Sequence, residues 1–154
     1  MSQVEGQIDL PTSPGYALKQ ASSALRTAME AVLRPLGMSV THYSCLELLS
    51  QRPGLSNSEL ARGAFVTRQS MNTLLLTLEQ EGEVRRSESA IGGRALPTEL
   101  TAEGRRRLTL ASAAVKAVED RMTSGLGGTE RVQLVELLAR CVVSLRADEP
   151  PVTE

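Results

Sequence analysis

The chain has 154 residues, of which 41% are hydrophobic and 23% are charged, as in an ordinary globular domain. This composition excludes a wholly disordered chain, a collagen-like chain and a disulfide scaffold. The formal net charge of −1 excludes a protein that binds polyanions by being basic all over, so any nucleic-acid surface must be local. Aromatic residues make up only 2%, which favours packed helices over a β-sandwich.

The two ends of the chain are expected to be unstructured. Residues 1–13 lack hydrophobic periodicity and predict a flexible arm, and residues 147–154 predict a disordered tail. The start lacks the charged-then-apolar pattern of a signal peptide, and no run approaches the ~20 apolar residues that a membrane span needs. We therefore expect a cytoplasmic protein with no membrane partner. Cys45 and Cys141 form no CxxC motif, and we expect them to be reduced and buried.

Apolar residues at three- and four-residue steps predict two helices in the first third of the chain. The first runs from Gly15 to near Pro35. The second has Thr41 as its predicted N-cap and ends at Pro53-Gly54.

The segment that starts at Leu55 has the pattern of a helix-turn-helix. Ser56 is placed to cap the amide of Glu59, and Glu59 to reach back to Ser56, which predicts a short helix over about 57–63. A second helix follows after a tight turn, with Thr67 as its cap and Gly82 as the left-handed residue beyond its end. Two helices joined by so short a turn form a helix-turn-helix.

A hairpin and two long helices complete the prediction. Residues 83–86 alternate, 87–93 are turn-forming, and 94–100 are extended again, with Pro97 confining the return strand to an edge or a bulge. The fifth helix is capped by Thr101 and runs to about Ser124, and the sixth is capped by Thr129. The sixth is apolar on two faces, so we expect a second copy of the chain to cover it.

The helix after Thr67 carries the side chains that point to a function. Opposite its apolar stripe lie residues of the kinds that bond base edges in the major groove: Arg to guanine, Gln or Asn to adenine, and Thr through its hydroxyl or methyl. Its first turn also presents free amides and the positive dipole end to phosphate. The competing interpretation is an ordinary solvent-exposed face. The predicted DNA contacts are Thr67, Arg68, Gln69, Ser70, Asn72 and Thr73.

Two arginines of the hairpin are further candidate DNA contacts. Arg86 precedes the Gly-rich tip and Arg94 follows it. A guanidinium on a thin hairpin suits a narrow minor groove, where the negative potential is strongest, whereas the alternative is a solvated loop arginine. The three consecutive arginines 105–107 cannot all face one surface, so we expect at most one or two of them to contact phosphate and the others to be solvated or to pair with acids.

In order and spacing, these features resemble the MarR family of winged helix-turn-helix regulators. The resemblance spans about residues 15–145. It is carried by the run Leu60–Ala64, the helix Thr67–Leu78, the segment Leu78-Glu79-Gln80-Glu81-Gly82-Glu83-Val84-Arg85-Arg86, the Gly-rich wing with Arg94, and Leu100-Thr101-Ala102-Glu103-Gly104.

The resemblance implies a mainly α fold: a winged helix-turn-helix lobe with a small β-hairpin wing and a helical dimerisation region. It implies one domain over 14–146, with dimerisation helices at about 14–36 and 105–146 and the winged helix-turn-helix at about 41–104. A homodimer would place its two lobes on successive half-sites of a pseudo-palindromic operator in double-stranded DNA. Family members usually repress, and many release DNA when a small aromatic acid or phenolic compound binds.

The resemblance also suggests where an effector would bind and where this chain departs from its family. His42 and Tyr43 would face the crevice in which relatives hold ligands, and Arg26 or Arg34 would meet a carboxylate. The alternatives are a surface or capping role for His42 and a core position for Tyr43. Gly92 stands where the family's wing usually has an Asp that positions the wing arginine.

The sequence leaves two rival functions. An enzyme is disfavoured because the only histidine, His42, has no suitable nucleophile or second base in a recognisable motif. One His and two distant Cys cannot satisfy zinc, so no metal or cofactor is expected. The second rival, which the slight negative charge keeps open, is a winged-helix module that binds protein without sequence-specific DNA binding.

Overall fold

The computed structural model describes residues 6–87 and 97–147, and its fold is mainly α, as predicted. Its elements are α1 (Pro14–Leu33), α2 (Val40–Gln51), α3 (Asn57–Ala64), α4 (Arg68–Gln80), β1 (Val84–Arg86), β2 (Thr98–Leu100), α5 (Ala102–Met122) and α6 (Gly128–Arg146). Short 3-10 turns lie at Leu10–Thr12 and Arg34–Leu36. The chain divides into two compact units, with the boundary after Val118, inside α5.

The helix-turn-helix has the predicted capping residues. The Ser56 hydroxyl accepts a hydrogen bond from the Glu59 amide at 3.2 Å, and the Thr67 hydroxyl accepts one from the Ser70 amide at 3.1 Å. Glu59 does not reach back to the Ser56 amide; instead the Ser56 hydroxyl donates to its carboxylate at 3.2 Å. Beyond α4, Gly82 adopts a left-handed φ of +75°, which costs a glycine little.

Two predicted N-caps were wrong. Helix α2 is capped by Ser39, whose hydroxyl accepts from the His42 amide at 3.0 Å, because Thr41 is already inside the first turn. Helix α6 is capped by Gly127, and Thr129 likewise lies within the helix. At Gly127 the backbone amide donates to the Glu130 carboxylate at 2.9 Å, so a side chain three residues on caps the helix end.

The core of the first unit lies between α2, α3, α4, the hairpin and the first part of α5. It also takes in Leu33 at the end of α1. Its most deeply buried members, with essentially no exposed surface, are Leu33, Cys45, Leu46, Leu60, Met71, Leu75, Leu78 and Ala111. These residues close the apolar sides of the helix-turn-helix and leave the opposite side of α4 at the surface.

The hairpin is attached to this core at its base. Strands β1 and β2 are antiparallel, with Val84 opposite Leu100 and Arg86 opposite Thr98. Thr98 also pairs with Leu55, which joins the return strand to the start of the helix-turn-helix. Predicted sequence features for the hairpin tip, including Gly92 and Arg94, lie outside the described residues.

The start of α5 packs tightly on the turn before β1. The Thr101 hydroxyl accepts from the Gly104 amide at 3.1 Å, as predicted for a cap, and donates to the Gly82 carbonyl at 2.5 Å. A Cβ at position 104 would collide with the backbone carbonyl of Glu83. The glycine of the Leu-Thr-Ala-Glu-Gly segment is therefore required by this close approach.

The second unit consists mainly of α6, and none of that helix's residues is buried. Its large apolar side chains are exposed to different degrees, from 36% for Leu134 to 80% for Leu145. Cys141 is exposed as well, contrary to the expectation that both thiols are buried. No helix among residues 6–87 and 97–147 combines the length and apolar character needed to cross a membrane.

Candidate DNA interface

The polar face of α4 is at the surface. Arg68, Gln69, Asn72 and Thr73 are all exposed, whereas Met71, Leu75 and Leu78 on the other side have no exposed surface. The sequence therefore assigned the two faces of this helix as the structure has them. The structure brings the predicted base-reading residues together on one helix surface.

Hydroxyl groups at the start of α4 form hydrogen bonds within the helix. The Thr67 hydroxyl accepts from the Ser70 amide and donates to the Ser70 hydroxyl at 3.0 Å. The Thr73 hydroxyl donates to the backbone carbonyl of Gln69 at 3.0 Å. These three hydroxyl groups are thus partly engaged within the helix, while Arg68 and Gln69 extend from its first turn.

Helix α3 holds the start of α4 in place. The Asn57 side-chain amide, on the first residue of α3, donates to the backbone carbonyl of Arg68 at 3.1 Å. Between the helices, Phe65 adopts a left-handed φ of 59°, and the Val66 amide donates to the Ala61 carbonyl at 3.0 Å. The angle between α3 and α4 is therefore set by backbone and side-chain bonds as well as by packing.

Arg86 contacts α4 from the base of the hairpin. Its Nη1 donates to Asn72 Oδ1 at 3.2 Å, and its Nη2 to the Asn72 carbonyl at 3.5 Å. Its Nε lies 3.2 Å from Glu79 Oε1, and only 16% of its side chain is exposed. Two predicted DNA contacts, Arg86 and Asn72, are thus bonded to each other. Arg94, the other predicted hairpin contact, lies outside the described residues.

A buried charged cluster lies behind this surface, where α2, the α4–β1 turn and α5 meet. Glu83 is only 1% exposed, and its Oε1 lies 2.9 Å from His42 Nε2 and 3.5 Å from Arg107 Nε. Arg107 also donates to the Leu36 carbonyl at 2.6 Å. The cluster ties the helix-turn-helix to both α5 and the segment after α1.

The four predicted effector ligands differ in their surroundings. His42 is buried against Glu83, whereas the Tyr43 hydroxyl donates to the Glu47 carboxylate at 3.3 Å. Arg26 is exposed and pairs with Glu30 on its own helix at 3.1 Å, and Arg34 is exposed where α1 ends. The alternative interpretation of His42 as a surface residue is wrong: its side chain is internal, where Glu83 is its buried partner.

Sequence reasoning missed Glu83 and the inward direction of Arg107. Glu83 was interpreted as one residue of an alternating strand, and of the arginines 105–107 at most one or two were expected to contact phosphate while the others were solvated or paired with acids. In the structure Arg106 pairs with Glu103 at 2.6 Å and Arg107 turns toward Glu83. No local pattern identifies such a pair, because its partners lie far apart in sequence.

Cys45 is shielded from redox chemistry by its surroundings. It is completely buried, and this burial raises the pKa of its thiol to about 12. Since the thiolate is the reactive form, burial and the raised pKa both disfavour reaction of Cys45 at neutral pH. No cluster of three metal-ligating side chains occurs in the described parts of the chain.

Comparisons with known proteins agree with this geometry. The family model described as MarR family matches residues 36–95. The chain is 42% identical over 126 residues to the HTH-type transcriptional repressor Rv2887 of Mycobacterium tuberculosis, and the alignment covers 82% of this chain and 91% of that protein.

Solved structures of that mycobacterial MarR family protein have the same fold as this chain. Its complex with salicylic acid matches with a TM-score of 0.69 at 41% identity, covering 84% of this chain and 96% of the other. Its complex with DNA matches with a TM-score of 0.70 at 38% identity, covering 84% and 98%. With this identity over most of its length and a winged helix-turn-helix fold, the chain belongs to the MarR family of transcriptional regulators.

Proposed function

We propose that a homodimer of this chain binds a pseudo-palindromic DNA operator and represses transcription until a small aromatic acid or phenolic compound releases it. The observation that carries the proposal is the exposed polar face of α4, presented by a capped helix-turn-helix. Such a helix fits the major groove with its N-terminal residues at the base edges. The protein acts by binding rather than by catalysis, and its place of action is the cytoplasm.

The proposed DNA contacts divide into three groups. Arg68 and Gln69 extend from the first turn of α4 and read base edges, together with Asn72 and Thr73 one turn later. Thr67 and Ser70 hold the first turn, whose amides and dipole face phosphate. Arg94 is the proposed contact to the adjacent minor groove. Arg86 is the proposed contact at the base of the hairpin, where it also bonds Asn72.

The dimer is supported by α6, which is apolar and has no buried residue within its own chain. Pairing with a second copy would remove this apolar surface from water. A two-fold symmetric pair also places two copies of α4 on neighbouring turns of one duplex, which is the arrangement that a pseudo-palindrome requires.

An effector is supported by the relative of known structure, which was crystallised with salicylic acid. In this chain the candidate residues are Arg26, Arg34, His42 and Tyr43. Because His42 already bonds Glu83, an effector that displaced it would disturb the cluster that joins the helix-turn-helix to α5. Release of DNA would follow from a change in the position of the lobe.

The test is a fluorescence-anisotropy titration of the full-length protein with duplex DNA from its own upstream region. We expect specific binding at 50 mM salt that weakens ~10³–10⁵-fold at 200 mM if ~6–10 phosphates are contacted. Addition of salicylate is expected to weaken binding further. Binding no tighter than to unrelated duplex would contradict the DNA half of the proposal, and a salicylate-insensitive specific complex would contradict the effector half.

Arg68→Ala separates DNA readout from a protein-binding role. We expect a loss of ~1–3 kcal/mol in DNA binding and a relaxed preference at one base position, because the arginine extends from the exposed first turn of α4. Arg62→Ala, at an exposed position near the end of α3, is the matched control for loss of one positive charge. Equal affinity of wild type and Arg68→Ala would remove Arg68 from the interface.

A further inference from the structure

We propose that Arg86 determines base preference indirectly, by holding the Asn72 side chain so that its NH₂ group faces the bases. This inference rests on the proposed function, since it concerns how the α4 surface reads DNA. It assigns Arg86 as a positioning residue and Asn72 as a donor of hydrogen bonds to base acceptors.

The orientation of the Asn72 amide follows from the chemistry of its partner. A guanidinium has five N–H donors and no acceptor, so the atom facing Arg86 Nη1 at 3.2 Å must be the amide oxygen. The NH₂ group therefore points away from Arg86.

Arg86 is itself held firmly enough to impose this orientation. Its Nη2 donates to the Asn72 backbone carbonyl at 3.5 Å, and its Nε lies 3.2 Å from Glu79 Oε1, so the guanidinium spans nearly two turns of α4. Its side chain is 16% exposed. A side chain with three contacts to one helix is poorly placed to leave that helix and enter a DNA groove.

Asn72 is placed where its NH₂ group meets a base. It is exposed, and it lies four residues after Arg68 and three after Gln69, so the three share one side of α4. Its NH₂ group has no hydrogen bond to any residue of 6–87 or 97–147. Its donors are therefore available to a ligand on the exposed side of the helix.

The consequence is a preference for bases with acceptors in the major groove. Guanine offers O6 and N7, thymine O4, and adenine N7, whereas cytosine offers only its N4 donor. A fixed NH₂ group therefore discriminates against cytosine. A free amide presents either its oxygen or its NH₂ group, and so accepts any of the four bases.

The experiment is a selection of binding sites from a randomised duplex library by the full-length protein and its variants. Asn72→Ala identifies the base position that Asn72 reads, as the position whose preference disappears. For the wild type we expect cytosine at this position to be disfavoured about three- to tenfold, the value of one hydrogen bond. Asn72→Asp keeps an acceptor for Arg86 but has no donor, so its preference should shift toward cytosine.

Arg86→Met removes the guanidinium while keeping an apolar stem, and we expect it to abolish discrimination at the Asn72 position alone. Arg86→Lys, which retains a donor, should partly restore discrimination. Arg85→Met is the matched control, because Arg85 is the exposed neighbour on the same strand. Since the readout is the relative enrichment of four bases, a smaller folded fraction does not alter it.

The outcomes separate the two proposals. If the wild type enriches no sequence, the proposed function fails and this inference with it. If the wild type enriches a site but Arg86→Met leaves every base preference intact, or weakens all positions equally, the proposed function stands and the positioning role is overturned. A wild-type site with cytosine favoured at the Asn72 position would also overturn it.

Discussion

Helices α4 and α6 both carry apolar side chains along their length, but only α4 buries them within its own chain. Met71, Leu75 and Leu78 of α4 have no exposed surface, whereas Val135 and Leu145 of α6 are 66% and 80% exposed. The two helices therefore differ in which of their surfaces is exposed. Helix α4 is held by its own chain with its polar face exposed, whereas α6 has no buried residue and leaves its apolar side chains exposed.

The comparison also extends to the polar contacts around the two helices. The start of α4 is fixed by Thr67 and by Asn57 of α3, and Glu83, which follows the helix, is tied to α2 and α5. A surface that reads bases must be held in a defined orientation, because small displacements cost specific hydrogen bonds. An apolar docking face has no such need, since hydrophobic association is non-directional.

The largest expected effect comes from placing a charge on α6. Val135→Asp should convert the dimer to a monomer and weaken operator binding by ~10²–10⁴-fold, because the second half-site is no longer bound intramolecularly. Sedimentation measures the mass and anisotropy the affinity. Gln133→Asp introduces the same charge at a polar exposed position of α6 and should change both far less. A variant that stays dimeric would show that Val135 lies outside the interface.

On α4, a pair of adjacent leucines tests the buried side against the exposed side. Leu75 has no exposed surface and Leu76 is 48% exposed. Leu75→Ala should lower the free energy of unfolding by ~2–5 kcal/mol through lost burial and the cavity left behind. Leu76→Ala should change it by no more than about 0.5 kcal/mol. Denaturant titration measures both, and equal effects would contradict the assigned faces.

Loss of the buried Glu83 carboxylate, just after α4, is expected to lower the free energy of unfolding nearly as much as loss of a buried leucine of α4. Glu83→Ala leaves His42 and Arg107 without their carboxylate and should destabilise the fold by about 3 kcal/mol. Glu99→Ala removes a carboxylate from an exposed position of β2 and serves as the control. A Glu83→Ala protein that melts like the wild type would mean that the cluster adds no net stability.

The smallest expected effect is at the cap of α4. Thr67→Ala removes the acceptor for the Ser70 amide and should cost ~1 kcal/mol in unfolding free energy. Thr67→Ser retains the hydroxyl and should restore most of the loss. If Thr67→Ala lowers DNA affinity beyond what its smaller folded fraction explains, then the first turn of α4 is also part of the DNA contact.

Local signals were read correctly where the residue and its partner are close in the sequence. Ser56, Thr67 and Thr101 cap the helices that they were predicted to cap, because a cap bonds an amide three residues ahead. The same reasoning misplaced two helix starts. The N-cap of α2 is Ser39, two residues before the predicted Thr41. The N-cap of α6 is Gly127, two residues before the predicted Thr129, and its backbone amide bonds the Glu130 carboxylate.

The amino-acid sequence by itself determined the order of the elements, the helix-turn-helix and the two faces of α4, because periodicity and capping depend on residues within a few positions. Only the tertiary structure decided that Glu83 is buried between His42 and Arg107, and that Arg86 bonds Asn72 fourteen residues away. These pairs form because packing brings distant elements together, and around Glu83 it also excludes water. No local sequence pattern identifies partners that lie so far apart along the chain.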